Sequence, residues 1–436
     1  MRRVPAFRLA ACLLASCGAE VDTADTPSEV PTPLDGVAEQ YVKTALAFRR
    51  YDDSYVDAYY GSIAWSNEAE ARVVTLEELK AEAENQLAAL QAIDISSDPE
   101  IVAARKDGLE KRLQALLLRM DMAAGSRLAF EDESRTLFDA VAPVVDAAYL
   151  SDLIIEIQRL VPGEGDLSDR VNQFRSRFII PSERLADVFD AAIEECRRRT
   201  LEHMPLPADE SFTIEYVTDQ PWSGYNWYQG SSHSLIQINT DLPIYIDRAI
   251  DLGCHEGYPG HHTYGVLMET ELVDARGWIE FALSPLYGPL SLISEGSANY
   301  GTELAFSDQE RGAFEKEVLF PLAGLGVEEA DRYHELRDAL EDLRYAEVVI
   351  ARDYLDGDKT RAEAIVWLRE YALLSEERAS QRIRFFDTYR SYVINYSFGR
   401  DLIEKYLVAR AGADRALQWR EFQGLLSRPM SPSDLQ

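Results

Sequence analysis

Histidine and glutamate set side by side can hold a divalent metal and move a proton beside it, and one octapeptide of this chain concentrates them. His255-Glu256-Gly257-Tyr258-Pro259-Gly260-His261-His262 contains three of the six histidines. Neutral imidazoles bind the ion, and the carboxylate next to the first of them can take a proton from water polarised by it, which is the chemistry of a hydrolytic zinc site.

The spacing is unusual. In His-Glu-x-x-His the two histidines lie four apart, stacked on one helix face about 6 Å along the axis. Here the fourth position is Pro259, and the next histidines follow six and seven residues on. On an unbroken helix His262 would share the face of His255 about 10.5 Å away, and His261 would point about 120° aside. Neither could join His255 on one tetrahedral ion, so the helix must break. Pro259 removes a backbone donor and crowds the carbonyl of His255, Tyr258 is pushed out of the α region, and Gly260 accepts almost any backbone. A two-residue bulge would restore His261 to the second-ligand position and a three-residue bulge would restore His262; helical geometry alone allows both.

The elements that must position these residues are mostly helices. Thr75-x-x-Glu78 is a capping box opening a helix with Leu76, Leu79, Ala83, Leu87 and Leu90 on one stripe. Leu109, Leu113, Leu116 and Met120 repeat the stripe, and Thr360-x-x-Glu363 opens another helix after Gly357. Glu295, Asn299 and Glu303 recur every four residues on a polar helical face, of which only one end can reach an ion. Strand signals are confined to Phe212 to Val217 and Leu235 to Thr240, with the turn-prone Trp222-Ser223-Gly224-Tyr225-Asn226 between them. Such a sheet can offer an edge to an extended peptide, with Asn239 facing the substrate or capping a turn. Arg384 is a candidate partner for a substrate carboxylate. His203, His233 and His334 read as surface or capping residues.

His-Glu-x-x-Pro-Gly-His-His, followed about forty residues later by Glu295-Gly296-Ser297-Ala298-Asn299-Tyr300-Gly301-Thr302-Glu303, resembles the bacterial DUF885 family, with Ser297 where that family usually has Trp. Asn395-Tyr396-Ser397-Phe398-Gly399 is similar to its Tyr-x-x-Gly, and Val56-Asp57-Ala58-Tyr59-Tyr60-Gly61 to the opening of one subgroup. The resemblance implies a mainly α, large helical metallopeptidase-like fold, with a small β-sheet beside the active-site helix and a deep cleft. It implies one zinc per chain on His255, His261 and Glu295, since relatives place Gly directly before the second ligand as Gly260 precedes His261. His262 and Glu303 are left as supporting or alternate ligands. Glu256 would be the general base, and Tyr396, with Tyr392 in reserve, the donor to the developing oxyanion.

The length allows a large core, and 46% hydrophobic residues read as a soluble globular body of one large or two closely packed domains. Arg2, Arg3 and Arg8 precede the short apolar stretch Leu9 to Ala15, which reads as a signal peptide over residues 1–16. Leu14-Ala15-Ser16-Cys17 looks like a lipobox, with Cys17 acylated, and Gly18 lacks the Asp that retains some lipoproteins in the inner membrane. A lipid anchor on the periplasmic face of the outer membrane in the bacterial cell envelope is expected. Residues 17–36 read as a flexible tether and 37–436 as the body, helical over about 37–210 and carrying the metal site over about 211–436. Beyond Cys17, Cys196 and Cys254 do not make a disulfide scaffold, and Cys254 reads as a small buried residue. The net charge of −32 argues against nucleic acid.

The expectation is a zinc-dependent hydrolase acting on a peptide or small amide. A metal-binding lipoprotein without turnover and a hydrolase of non-peptide amides or esters are the alternatives.

Overall fold

Reciprocal caps set where the helices begin. Thr75 and Thr360 each accept from the third backbone amide of their helices, Leu76–Gln91 and Arg361–Tyr371, while Glu78 and Glu363 bond back to the cap, as the sequence predicts. The computed structural model, which describes residues 31–436, shows a third such box at Thr32 and Asp35. It opens the helix Pro33–Phe48, so the last residues of the expected tether belong to the body, and Leu34 is buried. The signal peptide, Cys17 and the rest of the tether up to residue 30 lie outside the described residues.

The chain is mainly helical, 66% helix against 7% strand, as expected. The helical stripes meet: Leu79, Ala83 and Leu90 are buried together with Leu109, Leu113, Leu116 and Met120 of Glu100–Ala123, while Leu76 and Leu87 sit at the margin. The larger apolar cluster among the described residues runs from Leu34 to Leu435, and a smaller one of Phe189, Ile236, Ile238 and Leu252 lies under the sheet strand that carries Ile236 and Ile238. A buried ion pair crosses the larger cluster, with Arg105 Nε donating to Glu280 at 2.6 Å and its guanidinium lying over Trp278.

Five short strands are described: β1 (Val56–Tyr59), β2 (Ser211–Val217), β3 (Gly224–Gly230), β4 (His233–Asn239) and β5 (Leu283–Pro285). β1 pairs antiparallel with β5, with a bulge between Val56 and Ala58. The other three form a sheet in the order β2-β4-β3, β2 and β4 running parallel. The expected turn at 222–226 is corrected here, because Gly224, Tyr225 and Asn226 open β3 and pair with Ile238, Gln237 and Ile236. The aromatic run Tyr225, Trp227, Tyr228 suits a strand, and Trp227 bonds across to Gln237 at 3.1 Å. β3 is an edge strand, and Ser223 to Asn226 line a cleft of about 840 Å³. Among the described residues no helix is long and apolar enough to cross a membrane.

Candidate metal centre

The octapeptide breaks its helix as the sequence demands. Arg248–Leu252 is α-helical, Gly253–Gly257 is a wider π-helical turn, Tyr258 is extended, the Tyr258–Pro259 bond is cis, and a new helix runs His261–Met268. The Gly260 amide donates to the carbonyl of Cys254 at 3.0 Å. Any side chain at Gly260 would collide with the backbone, since a Cβ there would stand 1.8 Å from the carbonyl oxygen of His255. This fold-back brings the rings of His255 and His261 to 4.6 Å.

Glu295 arrives from the helix Pro289–Ala305, which packs against Ile394–Ala411 at a glycine contact. A Cβ on Gly296 would lie 2.4 Å from the Gly399 carbonyl carbon, so the two motif glycines let the backbones touch and set Asn299 beside Tyr396. The Nε2 atoms of His255 and His261 stand 3.1 and 3.6 Å from Glu295 Oε2. Ligands of a tetrahedral ion bound at about 2.0–2.1 Å stand roughly 3.4 Å apart, close to both distances, and all three atoms lie within 4.8 Å of one another. His255 bonds through Nδ1 to Asn299 Oδ1 at 2.9 Å. An amide oxygen only accepts, so that nitrogen carries a proton and Nε2 is the ring atom left to meet a metal. The other side of the Asn299 amide donates to the Tyr396 carbonyl, which fixes its orientation. His261 Nδ1 is held by Ser294 Oγ at 2.9 Å, and the Tyr392 hydroxyl donates to Glu295 Oε1 at 2.7 Å, leaving Oε2 aimed at the imidazoles.

Three buried carboxylate oxygens here, Glu295 Oε2, Glu256 Oε2 and Asp57 Oδ1, have no hydrogen-bond partner among the described residues. Burial raises the Glu256 carboxyl to about 7, against the pull of His261 and with the help of Glu295. Burial likewise raises Asp57 to about 7, His261 opposing and Glu295 adding. Burial works against the ionised form of Glu295 too, but the facing imidazoles hold its carboxyl well below the usual range. A cluster so rich in buried, unpartnered acceptors is stabilised by a cation placed among them.

Tyr396 lines the cleft with its ring 5.9 Å from Tyr392 and 6.1 Å from Phe385. Burial and the charge of Glu295 keep its phenol well above the ordinary value, hence protonated. Tyr392, the reserve donor, is instead bonded to Glu295 and positions that carboxylate.

The other expected site residues lie elsewhere. His262 is fully buried behind the turn, bonded to Ser234 Oγ at 2.8 Å and Glu210 Oε2 at 3.0 Å, so it is not an alternate ligand. Glu303 is two turns beyond Glu295 and pairs with Arg400; Asn299 takes the orienting part expected of it. Asn239 donates to the carbonyls of Gln220 and Trp222 and accepts from the amide of Asp241, capping a turn rather than facing a substrate. Arg384 is exposed, beside Asp241 and outside the cleft, because it points away from the face of its helix Glu376–Tyr389 that carries Arg378, Arg382 and Phe385. His334 is buried against Glu315 at 2.7 Å rather than on the surface. Cys254 is buried as expected but forms a disulfide with Cys196, which ties the helix Leu185–Leu201 to the residue before His255.

Asp57, Ser294 and Gly224 are absent from the sequence-based candidates. Asp57 stands between apolar Val56 and Ala58 at the β1 bulge, where a lone carboxylate in a strand was the available signal. Gly224 is required by closeness, since a Cβ there would come 2.7 Å from Glu256 Oε1.

The fold is shared with a candidate lipoprotein from Colwellia psychrerythraea, with a TM-score of 0.52 and 16% identity over 94% of this chain and 76% of that one. A candidate lipoprotein of unknown function from Shewanella oneidensis superposes with a TM-score of 0.47 and 12% identity over 93% of this chain and 87% of that one. No protein-family model matches the chain, and no curated protein matches it.

Proposed function

We propose that the chain is a zinc-dependent hydrolase, a peptidase of the bacterial envelope. The observation that carries this reading is the convergence of His255 Nε2, His261 Nε2 and Glu295 Oε2, three atoms that can each ligate a metal and lie within 4.8 Å of one another, with Glu295 Oε2 making no hydrogen bond among the described residues. Zinc bound there would supply Lewis acidity toward a carbonyl and acidify water. Glu256, buried and with a carboxyl near 7, is suited to take the proton of an attacking water and to pass it to the leaving nitrogen. Tyr396 can donate to the carbonyl oxygen as negative charge develops on it. The edge of β3 from Gly224 to Asn226, with Ser223 before it, offers backbone groups along which an extended peptide can lie.

The motif resemblance to the DUF885 family supports the same reading, and the fold likeness to a candidate lipoprotein supports the lipid anchor expected at Cys17. The Cys196–Cys254 disulfide agrees with an oxidising compartment, as the periplasmic face of the outer membrane provides. The test is metal analysis of the purified protein coupled to cleavage of a mixed peptide library and a panel of esters. Peptide products that disappear on chelation and return with zinc are expected. Metal retained with no peptide product would overturn the peptidase assignment, ester products alone marking a non-peptide hydrolase and no products a binding protein.

A further inference from the structure

The net charge of the chain is −32, yet one wall of the cleft carries a group of guanidinium ions from three separate elements. Arg175 and Arg378 meet over Tyr245, whose ring lies 4.2 Å from the Arg175 guanidinium and 4.9 Å from that of Arg378, and the backbone amide of Arg248 donates to the Tyr245 carbonyl at 3.0 Å. The nearby acids are already engaged. Asp247 accepts from Tyr333 at 2.5 Å and faces Arg175 at 3.4 Å, and Asp251 is shared between Arg248 at 3.3 Å and Arg311 at 2.8 Å. Arg378 donates to the carbonyl of Pro243 at 2.7 Å and makes no ion pair among the described residues. Burial lowers its guanidinium below the ordinary value; Tyr245 opposes this, and the like charges of Arg175 and Arg248 add to it.

We infer that this wall binds a free carboxylate of the substrate, most directly the C-terminus of a short peptide, in the fork of Arg378 with Arg248 beside it. The inference rests on the hydrolase reading for what happens at the other end of the same cleft. Guanidinium forks bind carboxylates by paired, charge-assisted hydrogen bonds, and an anion placed here relieves the repulsion among three cations. Arg248 precedes His255 by seven residues, across the helix Arg248–Leu252 and the π-helical turn that follows it, and both line the cleft. A short peptide whose carboxylate docks on this wall can extend along the same cleft toward the metal ligands. Arg378 lies on the cleft-facing side of Glu376–Tyr389 with Gln381, Arg382, Phe385 and Tyr389, a stripe that leads from the arginines to Tyr392.

The test uses the E256Q protein, which keeps the ligand set without turnover, and isothermal titration calorimetry with N-acetyl-trialanine, its C-terminal amide, and N-acetyl-Ala-Ala-Asp amide. The free acid is expected to bind at least about 10-fold more tightly than its amide. Arg378→Gln should reduce that preference to within about 2-fold, Arg378→Lys should keep part of it, and Arg248→Gln, on another helix, should weaken it, all with unchanged metal content. Recovery of affinity by the Asp amide would mark a site that reads any carboxylate; failure of recovery would mark a C-terminal site. Equal binding of acid and amide, or a preference that survives Arg378→Gln, would overturn the inference. A carboxylate preference without hydrolysis in the unmutated protein would remove the catalytic reading and leave this site standing.

Discussion

His261 and His262 are neighbours in sequence, yet they enter two buried clusters of opposite character. Behind the turn, His262 bonds to Ser234 and Glu210, and Glu210 also receives Tyr258 and Arg197. In front of it, His261 and His255 face Glu295, with Glu256 and Asp57 close by and three carboxylate oxygens unpartnered. The two sets of carboxylates diverge accordingly. Burial opposes ionisation of Glu210, but donors from His262, Tyr258 and Arg197 hold it down at about 2, whereas burial without donors lifts Glu256 to about 7. A satisfied cluster fixes a fold, and an unsatisfied one needs a ligand. The proposed chemistry therefore sits in the front cluster, and the rear one anchors the turn.

This contrast can be broken by substitution. Glu256→Gln should lower peptide hydrolysis by at least about 100-fold while leaving metal content unchanged, the loss falling on kcat. Turnover near the unmutated rate would show that Glu256 is not the base. In the rear cluster, His262→Ala should cost about 2–3 kcal/mol in denaturant unfolding, because Glu210 and Ser234 lose a buried partner. The sign with pH follows from Glu210, whose folded pKa lies below its ordinary 4.5. Its stabilisation is complete above that value and is lost as pH falls toward 2, so His262→Ala should raise the acid-unfolding midpoint. An unchanged midpoint would detach His262 from Glu210. Asn299→Ala should weaken zinc by about 10-fold in a competition titration, since it frees the ring of His255. An affinity equal to that of the unmutated protein would mean that Asn299 does not orient the ligand.

Much of the front cluster was legible in the sequence because its constraints are local. Pro259 and Gly260 force the helix break, and four-residue spacing puts Glu295 and Asn299 on one helical face. The capping threonines announced two helices for the same reason. What escaped depends on distant pairings. Asp57 reaches the site only through the pairing of β1 with β5, more than two hundred residues apart. β3 was hidden because Gly224 and Asn226 look like turn residues, while their positions answer to Glu256: Gly224 gives its carboxylate room and Asn226 bonds its carbonyl at 2.7 Å. The choice between His261 and His262 needed Glu210 and Ser234, which nothing near the octapeptide reveals.

That choice is also where the assignment is most open to direct attack. Zinc stoichiometry measured by mass spectrometry on purified His261→Ala and His262→Ala proteins, each confirmed folded by circular dichroism, separates the two clusters. One zinc per chain in His262→Ala and none in His261→Ala is the expected result. Zinc retained in His261→Ala and lost from folded His262→Ala would contradict the assignment of His255, His261 and Glu295 as the metal ligands.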